Sequence, residues 1–337
     1  MPQAMAMHRL GLANLRLEQR PAEHLGPGEV RVVMRAVSLN YRDVIVMRGA
    51  YGAAVDLPLI PCSDGAGVVL EAGPGITEFE PGDRVCTHMI PDWQGGRLEP
   101  KMRLTTLGGP MQGVLSEERV LPRTALMPMP TSLSFEEAAC LPVAGLAAWS
   151  ALTVEAAIGP ESRVLLLGTG GVSMLGLQIA KTVGASVAMT SSSDTKLARA
   201  RSLGADFTVN YRREAWAEQV RQWSGGGVDT VLEIGGEGTF DQSVTATRDG
   251  GCIALLGVLA RRTRPVNLSS VLMRGIRVQG VFVGSRAEYE RYLQFVEAHA
   301  LAPIVDRVFD GLSSARHAFA YLLSGQHLGK VVIRVSA

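Results

Sequence analysis

Two patterns of apolar and polar positions divide this chain. Over roughly the first 125 residues the apolar positions come in short runs with alternating or one-sided character, as in EVRVVMRAVSLN (29–40) and GVVLEAG (67–73). Runs of that length and composition predict β-strands. Gly26-Pro27-Gly28, Pro74-Gly75 and Pro81-Gly82-Asp83 supply the turns between them. Residues 91–113 are rich in Gly and Pro, have no period, and predict a long loop. Near residue 130 the pattern changes. TSLSFEEAACL predicts a helix start, with Ser134 as cap and Glu136-Glu137 in the first turn. From Arg163 onward, strand-length apolar runs alternate with helical segments. VLLLG (164–168) leads into a helix that runs to Gly184. SVAMT (186–190) precedes TKLARARSLGA, FTVNY precedes EAWAEQVRQWS, and VDTVLEIGG precedes TFDQSVTATR; GCIALLGV and RVQGVFVG follow. Such alternation predicts right-handed βαβ crossovers and a parallel sheet. From Ser285 the tail reads as a helix over YERYLQFVEAHAL, another short helix, and a final strand KVVIRV (330–335).

Composition narrows the classes. At 337 residues the chain is long enough for two domains. Lys and Arg number 33 and Asp and Glu 32, for a net charge of +1, so no global charge favours nucleic acid or an anionic membrane surface. Cys62, Cys86, Cys140 and Cys252 are scattered without a CxxC pair. That spacing is neither a disulfide framework nor a zinc ribbon and suits a reducing compartment. The N-terminus lacks a signal-peptide apolar core. The longest apolar run, Ala138–Val154, contains Pro142 and Gly145 and is shorter than the ~20 residues a membrane span needs. These features predict a soluble, cytoplasmic protein with no nucleic-acid or membrane partner.

The candidate chemistry starts at Gly168-Thr169-Gly170-Gly171-Val172-Ser173. A strand that opens through glycines into a helix presents unpaired N–H groups at the positive end of the helix dipole, a natural seat for a diphosphate. Gly168 permits the tight turn, Gly170 lets the backbone approach the phosphates, and the small Ser173 lets helix and strand pack closely. An NAD site ordinarily has an acidic residue about 20 positions on, at the end of the second strand. Here that end reads Thr190-Ser191-Ser192-Ser193-Asp194-Thr195-Lys196. Ser191, Ser192 and Lys196, with Tyr211-Arg212-Arg213 after the next strand, suit a 2′-phosphate, and so NADPH. Asp194 lies further into the loop, where it could cap the helix instead.

With both halves in view, the chain resembles the medium-chain dehydrogenase/reductase superfamily over essentially its whole length. It looks closest to the zinc-free quinone-oxidoreductase side and to "zinc-type alcohol dehydrogenase-like" proteins. The marks are AVSLNYRD (36–43), LPLIPCSDGAGVV (57–69), PGDRV (81–85), LPVAGLAAWSAL (141–152), GTGGVS (168–173), TSSSDTKLARARSLGAD (190–206), NYR (210–212), GVDTVLEIGG (227–236), LLGV (255–258) and GKVVIRV (329–335). The resemblance implies an α/β chain. A GroES-like β domain (1–125) would be joined to an inserted Rossmann domain with a doubly wound parallel sheet (126–285). A C-terminal return (286–337) would complete the first domain, and cofactor and substrate would share the interdomain cleft.

Departures from the family's pattern decide the expected chemistry. Where zinc alcohol dehydrogenases carry their ligands, this chain has Leu39-Asn40-Tyr41, Ser63 within Cys62-Ser63-Asp64, and Val143-Ala144. No cysteine lobe stands in 91–113, and a set of Cys62 or Cys86 with Asp64 and His88 is a poor substitute. No metal is therefore expected. Without a Lewis acid, hydride addition to a quinone or an α,β-unsaturated carbonyl is easier than alcohol oxidation, because charge delocalises to an oxygen that hydrogen-bond donors can stabilise.

The resemblance implies Asn40 and Tyr41 as hydrogen-bonding groups for substrate or cofactor carboxamide, and Tyr51 as donor to the developing enolate. It places Asp64 and Trp93 at the substrate pocket. Gly257, Val258, Phe282 and Val283 would lie at the nicotinamide end, and Lys330 would reach the cofactor phosphates. Each of these could instead be structural. Cys62, where relatives generally have glycine, could put a thiol near the cleft or simply pack. An open edge at RVQGVFV (277–283) implies a homodimer. A zinc-independent alcohol or aldehyde oxidoreductase and a non-catalytic NADPH-binding sensor remain as alternatives.

Overall fold

The computed structural model describes residues 1–52, 55–260 and 266–335. The chain divides into two compact units, Met1–Ala144 with Ser285–Ala337, and Gly145–Gly284. The division falls at Ala144/Gly145, some way beyond the change of sequence pattern near 130, because the helix at Phe135–Ala138 packs on strands of the first unit.

In the first unit β1 (Gln3–Met7) and β2 (Leu15–Gln19) form an antiparallel pair. They are followed by β3 (Glu29–Ser38), α1 (Tyr41–Met47), β4 (Asp64–Ala72), β5 (Arg84–Thr87), β6 (Glu118–Pro122), β7 (Leu126–Pro128) and α2 (Phe135–Ala138). Residues 91–113 are irregular apart from a short 3₁₀ turn at Pro100–Thr105. Ser134 caps α2 as expected: its Oγ accepts from Glu137 N, and the Glu137 carboxylate returns to Ser134 N at 2.8 Å.

The second unit contributes α3 (Leu146–Trp149), β8 (Arg163–Leu166), α4 (Gly171–Thr182), β9 (Ser186–Ser191), α5 (Asp194–Ser202), β10 (Phe207–Asn210) and α6 (Trp216–Trp223). It continues with β11 (Val228–Glu233), α7 (Phe240–Ala246), β12 (Thr247–Leu255), α8 (Ser269–Met273) and β13 (Arg277–Gly280). The chain then returns to the first unit with α9 (Arg286–Ala298), β14 (Val305–Asp310), α10 (Ala315–Ser324) and β15 (Lys330–Arg334).

The first unit is built on a seven-stranded sheet in the order β14-β15-β3-β4-β5-β7, with β6 also paired to β3. Alternate residues of β3 are buried, which is the period-2 pattern of its sequence, and Met34, Val37, Val69, Phe319 and Ile333 share one core. The register matters most at one end. Ser38 lies opposite Asp64 on β4 and opposite Val332 on β15. Three strands thus bring residues 38–40, Asp64 and Lys330 together.

The second unit holds a six-stranded sheet, all parallel, in the order β10-β9-β8-β11-β12-β13. This is the doubly wound arrangement, with the strand order reversing at β8. Leu165, Val231 and Ile253 are fully buried in its core. β13 ends at Gly280, earlier than the run RVQGVFV suggested. Its partner β12 stops at Leu255, and Val281 N takes the Leu255 carbonyl as the ladder closes. β13 is an edge strand, and Val278 on it is exposed. No helix among the described residues is long and apolar enough to cross a membrane.

Candidate functional site

In the second unit the glycine turn follows β8, beside the point where the strand order reverses. Gly168 has φ +73°, a conformation that L side chains rarely adopt. α4 begins one residue after Gly170, which caps it without any side-chain hydrogen bond. The first amides of α4 are therefore left to a ligand or solvent. A Cβ at Gly170 would meet nothing within 4 Å, so the space over the turn is open. Thr190 fixes the turn by accepting from Gly168 N at 3.1 Å. Buried Ser173 donates to the Leu167 carbonyl at 2.6 Å, so its hydroxyl is satisfied inside the turn. Thr169 is buried, and Gly171 and Val172 open the helix half-buried. These residues fit a dinucleotide diphosphate.

At the far end of β9, Ser191 is buried and Ser192 half-buried. Ser193, not Asp194, caps α5 by accepting from Lys196 N at 3.4 Å. Asp194 is the first helical residue, and its carboxylate is held by Asn210 Nδ2 at 2.6 Å and by Arg213 at 2.6 Å. Lys196 is half-buried, while Tyr211 and Arg212 are exposed. Across the sheet, Gly257 N lies on the Glu233 carbonyl, and a Cβ at Gly257 would stand 2.8 Å from Ile234 O, so glycine is required there. Val258 and Phe282 are exposed, whereas Val283 is buried, so its side chain serves packing rather than a ligand.

Sequence reasoning missed Glu233. This fully buried carboxylate at the end of β11 accepts from Gly235 N (2.6 Å), Gly236 N (2.9 Å) and Thr239 Oγ1 (2.6 Å), and also from Ser243 Oγ. An acidic residue at a strand end before Ile-Gly-Gly was the available signal.

In the first unit a set of charged groups is buried at the joined ends of β3, β4 and β15. Lys330 Nζ donates to Asn40 Oδ1 at 2.6 Å and to the Leu39 carbonyl at 2.9 Å. Asp64, fully buried, accepts from Ser63 Oγ at 2.7 Å and Val143 N at 3.1 Å. Burial raises its pKa, and the opposing pull comes first from the Lys330 ammonium, then from Ser63 and the Asn40 amide. Asn40 Nδ2 makes no hydrogen bond of good geometry to the protein. Asp43 accepts from Asn40 N at 2.8 Å and lies 3.4 Å from Arg42. Burial pushes Asp43 up to about 6, against the pull of Arg42. Buried Arg42 holds the Leu107 carbonyl (3.1 Å), donates Nε–H to Tyr51 Oη (3.3 Å), and lies 4.8 Å from the Tyr51 ring centroid. Tyr41 is exposed and Tyr51 half-buried.

Several sequence expectations change here. Lys330 is committed to Asn40 and Leu39 inside its own unit, not to cofactor phosphates. A lysine in a strand that pairs with β3 places its ammonium among that sheet's own carbonyls. Asn40 is 8% exposed, and its Oδ1 is taken by Lys330 within the cluster. Trp93 is buried and its Nε1 donates to the Gly96 carbonyl at 2.9 Å, within its own loop. Cys62 packs in the core at φ +71°, and its pKa is pushed well above the thiol range by burial, then by Asp43 and Asp64. Burial likewise pushes Cys86 up to about 12 and Cys140 up to about 11.

The positions that the resemblance assigns to zinc ligands offer Leu39, Ser63 and Val143, and Ser63 spends its hydroxyl on Asp64. Among the described residues, no group of three or more His, Cys, Asp or Glu is arranged to hold a metal. The residues present do not fit a zinc ion.

Comparison with known proteins agrees with this architecture. Family models described as "Alcohol dehydrogenase GroES-like domain" and "Zinc-binding dehydrogenase" match residues 26–131 and 171–298. The chain is 39% identical over 326 residues to the zinc-type alcohol dehydrogenase-like protein C1773.06c of Schizosaccharomyces pombe, covering 94% of each. It is 28% identical over 326 residues to a 2-haloacrylate reductase of a Burkholderia species, covering 91% of each. A crystal structure described as an NAD-dependent alcohol dehydrogenase superposes with TM-score 0.90 at 36% identity, over 99% of this chain and 100% of that one. The chain therefore belongs to the medium-chain dehydrogenase/reductase superfamily of nicotinamide-dependent oxidoreductases, with a GroES-like domain and a doubly wound parallel-sheet domain.

Proposed function

We propose that this protein is an NADPH-dependent reductase that adds hydride to quinones or α,β-unsaturated carbonyls without a zinc ion. The observation that carries the reading is the buried Asn40–Lys330–Asp64 set, which lies beside the positions, now Leu39, Ser63 and Val143, that the resemblance assigns to metal ligands. The name of the 2-haloacrylate reductase relative, whose substrate is a conjugated acid, supports a conjugated acceptor.

A bound reduced nicotinamide supplies the hydride. The amides at 171–173 hold the diphosphate, and Ser191, Ser192, Lys196 and Tyr211 hold the 2′-phosphate. Gly257, Val258 and Phe282 flank the nicotinamide end. As hydride reaches the acceptor, charge moves to its carbonyl oxygen, and donors aimed there lower the barrier. Tyr41 and Tyr51 are the proposed donors. A guanidinium only donates, so the Tyr51 oxygen accepts from Arg42 and its own proton points elsewhere. Asn40, Lys330, Asp43 and Asp64 hold this end of α1 rigid from behind. The protein works in the cytoplasm, with its four buried thiols reduced, as a homodimer joined along the β13 edge.

The test is cofactor oxidation by purified protein with a simple quinone and a short enal, using NADPH and NADH, with and without chelator. Turnover that favours NADPH and ignores chelator is expected. Turnover abolished by chelator would overturn the reading. The alcohol dehydrogenase names among the relatives favour a second reading, alcohol oxidation. Turnover of simple alcohols with an oxidised cofactor, and none of enals or quinones, would select it.

A further inference from the structure

The proposed preference for NADPH leaves one carboxylate unexplained. Asp194 sits three residues past the end of β9, at the start of α5 and next to the residues assigned to the 2′-phosphate, and a free negative charge there would repel the phosphate. The structure shows how that charge is held. Asn210 is buried, and its Oδ1 accepts from Arg212 N at 3.1 Å. This fixes the amide so that Nδ2 meets Asp194, at 2.6 Å. Arg213 closes on the other carboxylate oxygen at 2.6 Å. One oxygen is thus anchored to a rigid strand end and the other is neutralised by a cation.

We infer that Arg213 sets cofactor selectivity through Asp194: the Asn210–Asp194–Arg213 clamp keeps the Asp194 carboxylate from opposing a 2′-phosphate. Arg213 is a positioning residue here and is not itself a phosphate ligand. An isolated exposed pair would contribute little, but the buried Asn210 makes this a three-member network on a fixed frame. The inference rests on the NADPH reading above and refines it.

Direct binding tests it without any need for turnover. Dissociation constants for NADPH and NADH are measured by fluorescence titration for the wild type, Arg213→Ala, Asp194→Asn, and the double variant. Arg213→Ala should weaken NADPH relative to NADH by about ten-fold. Asp194→Asn should retain the preference, and the double variant should recover it, because the repelling charge is gone. A double variant as poor as Arg213→Ala would make Arg213 a direct phosphate ligand and overturn the inference. An Arg213→Ala variant with unchanged selectivity would overturn it too. All these residues lie on the surface or at a strand end, and thermal melts check that each variant is folded. Wild-type protein that prefers NADH would instead overturn the NADPH reading. If Arg213→Ala then left the NADH:NADPH ratio unchanged, the clamp would fall with it; a shifted ratio, recovered in the double variant, would keep it.

Discussion

Lys330 places its ammonium 2.6 Å from the Asn40 side-chain oxygen, across 290 residues of chain, and supplies the leading opposing charge to buried Asp64. Removing one partner of such a set leaves the other charge uncompensated. Lys330→Met should therefore cost about 3–5 kcal/mol in denaturant unfolding. Lys330→Met/Asp64→Asn should recover much of that loss. Because Lys330 is committed to its own unit, cofactor affinity should change less than about two-fold in the folded double variant. A large loss of affinity would restore the phosphate role.

Asp43 gives stability a pH dependence of definite sign. Its folded pKa is about 6 and its ordinary value 3.8, so the folded state holds the proton more tightly. Its favourable contribution is complete below about pH 4 and is lost as pH rises through about 6, by roughly 3 kcal/mol in all. Asp43→Asn should flatten that part of the stability profile. Urea titrations of both proteins across this range would show it, and parallel profiles would count against it.

Tyr51 and Arg42 should act together. If Tyr51 donates to the developing oxyanion, Tyr51→Phe should lower kcat for an enal by about 10²-fold with little change in KM. Arg42→Met should produce a similar fall, and the double variant little more, since Arg42 acts through the phenol oxygen it donates to. Fully additive losses would separate the two residues.

Lys196→Glu should weaken NADPH by about 10²-fold while leaving NADH within a few-fold. The ratio of the two dissociation constants is the readout. An unchanged ratio would remove the 2′-phosphate assignment.

β13 presents an open edge with Val278 exposed on it, and such an edge favours strand pairing. Light scattering at micromolar concentration should give about twice the 35.9 kDa of one chain. Val278→Lys should shift the protein toward monomer. A wild-type monomer would end the dimer proposal.

What the sequence determined by itself was whatever depends on local periodicity and local backbone conformation. The alternation of apolar runs from Arg163 specified the parallel sheet, because strand and helix periods are short-range properties. Gly168-Thr169-Gly170 specified the uncapped helix start, because only glycine takes that φ cheaply. Ser134 with Glu137 specified a helix start within three residues.

What only the tertiary structure decided was where long polar side chains end. Lys330 and Trp93 each carried a ligand role from the resemblance, and Asp194 stood as a possible helix cap; each is spent on the protein itself: on Asn40 and Leu39, on Gly96, and on Asn210 and Arg213. Cys62 read as an unusual thiol, and burial beside Asp43 and Asp64 makes it a packed one. For Lys330 the physical reason is strand register: a flexible polar side chain takes the partner that register brings within 3 Å, and register between residues as distant as 40 and 330 is a property of the folded sheet. Trp93 and Cys62 follow from how their segments pack, which local pattern does not fix.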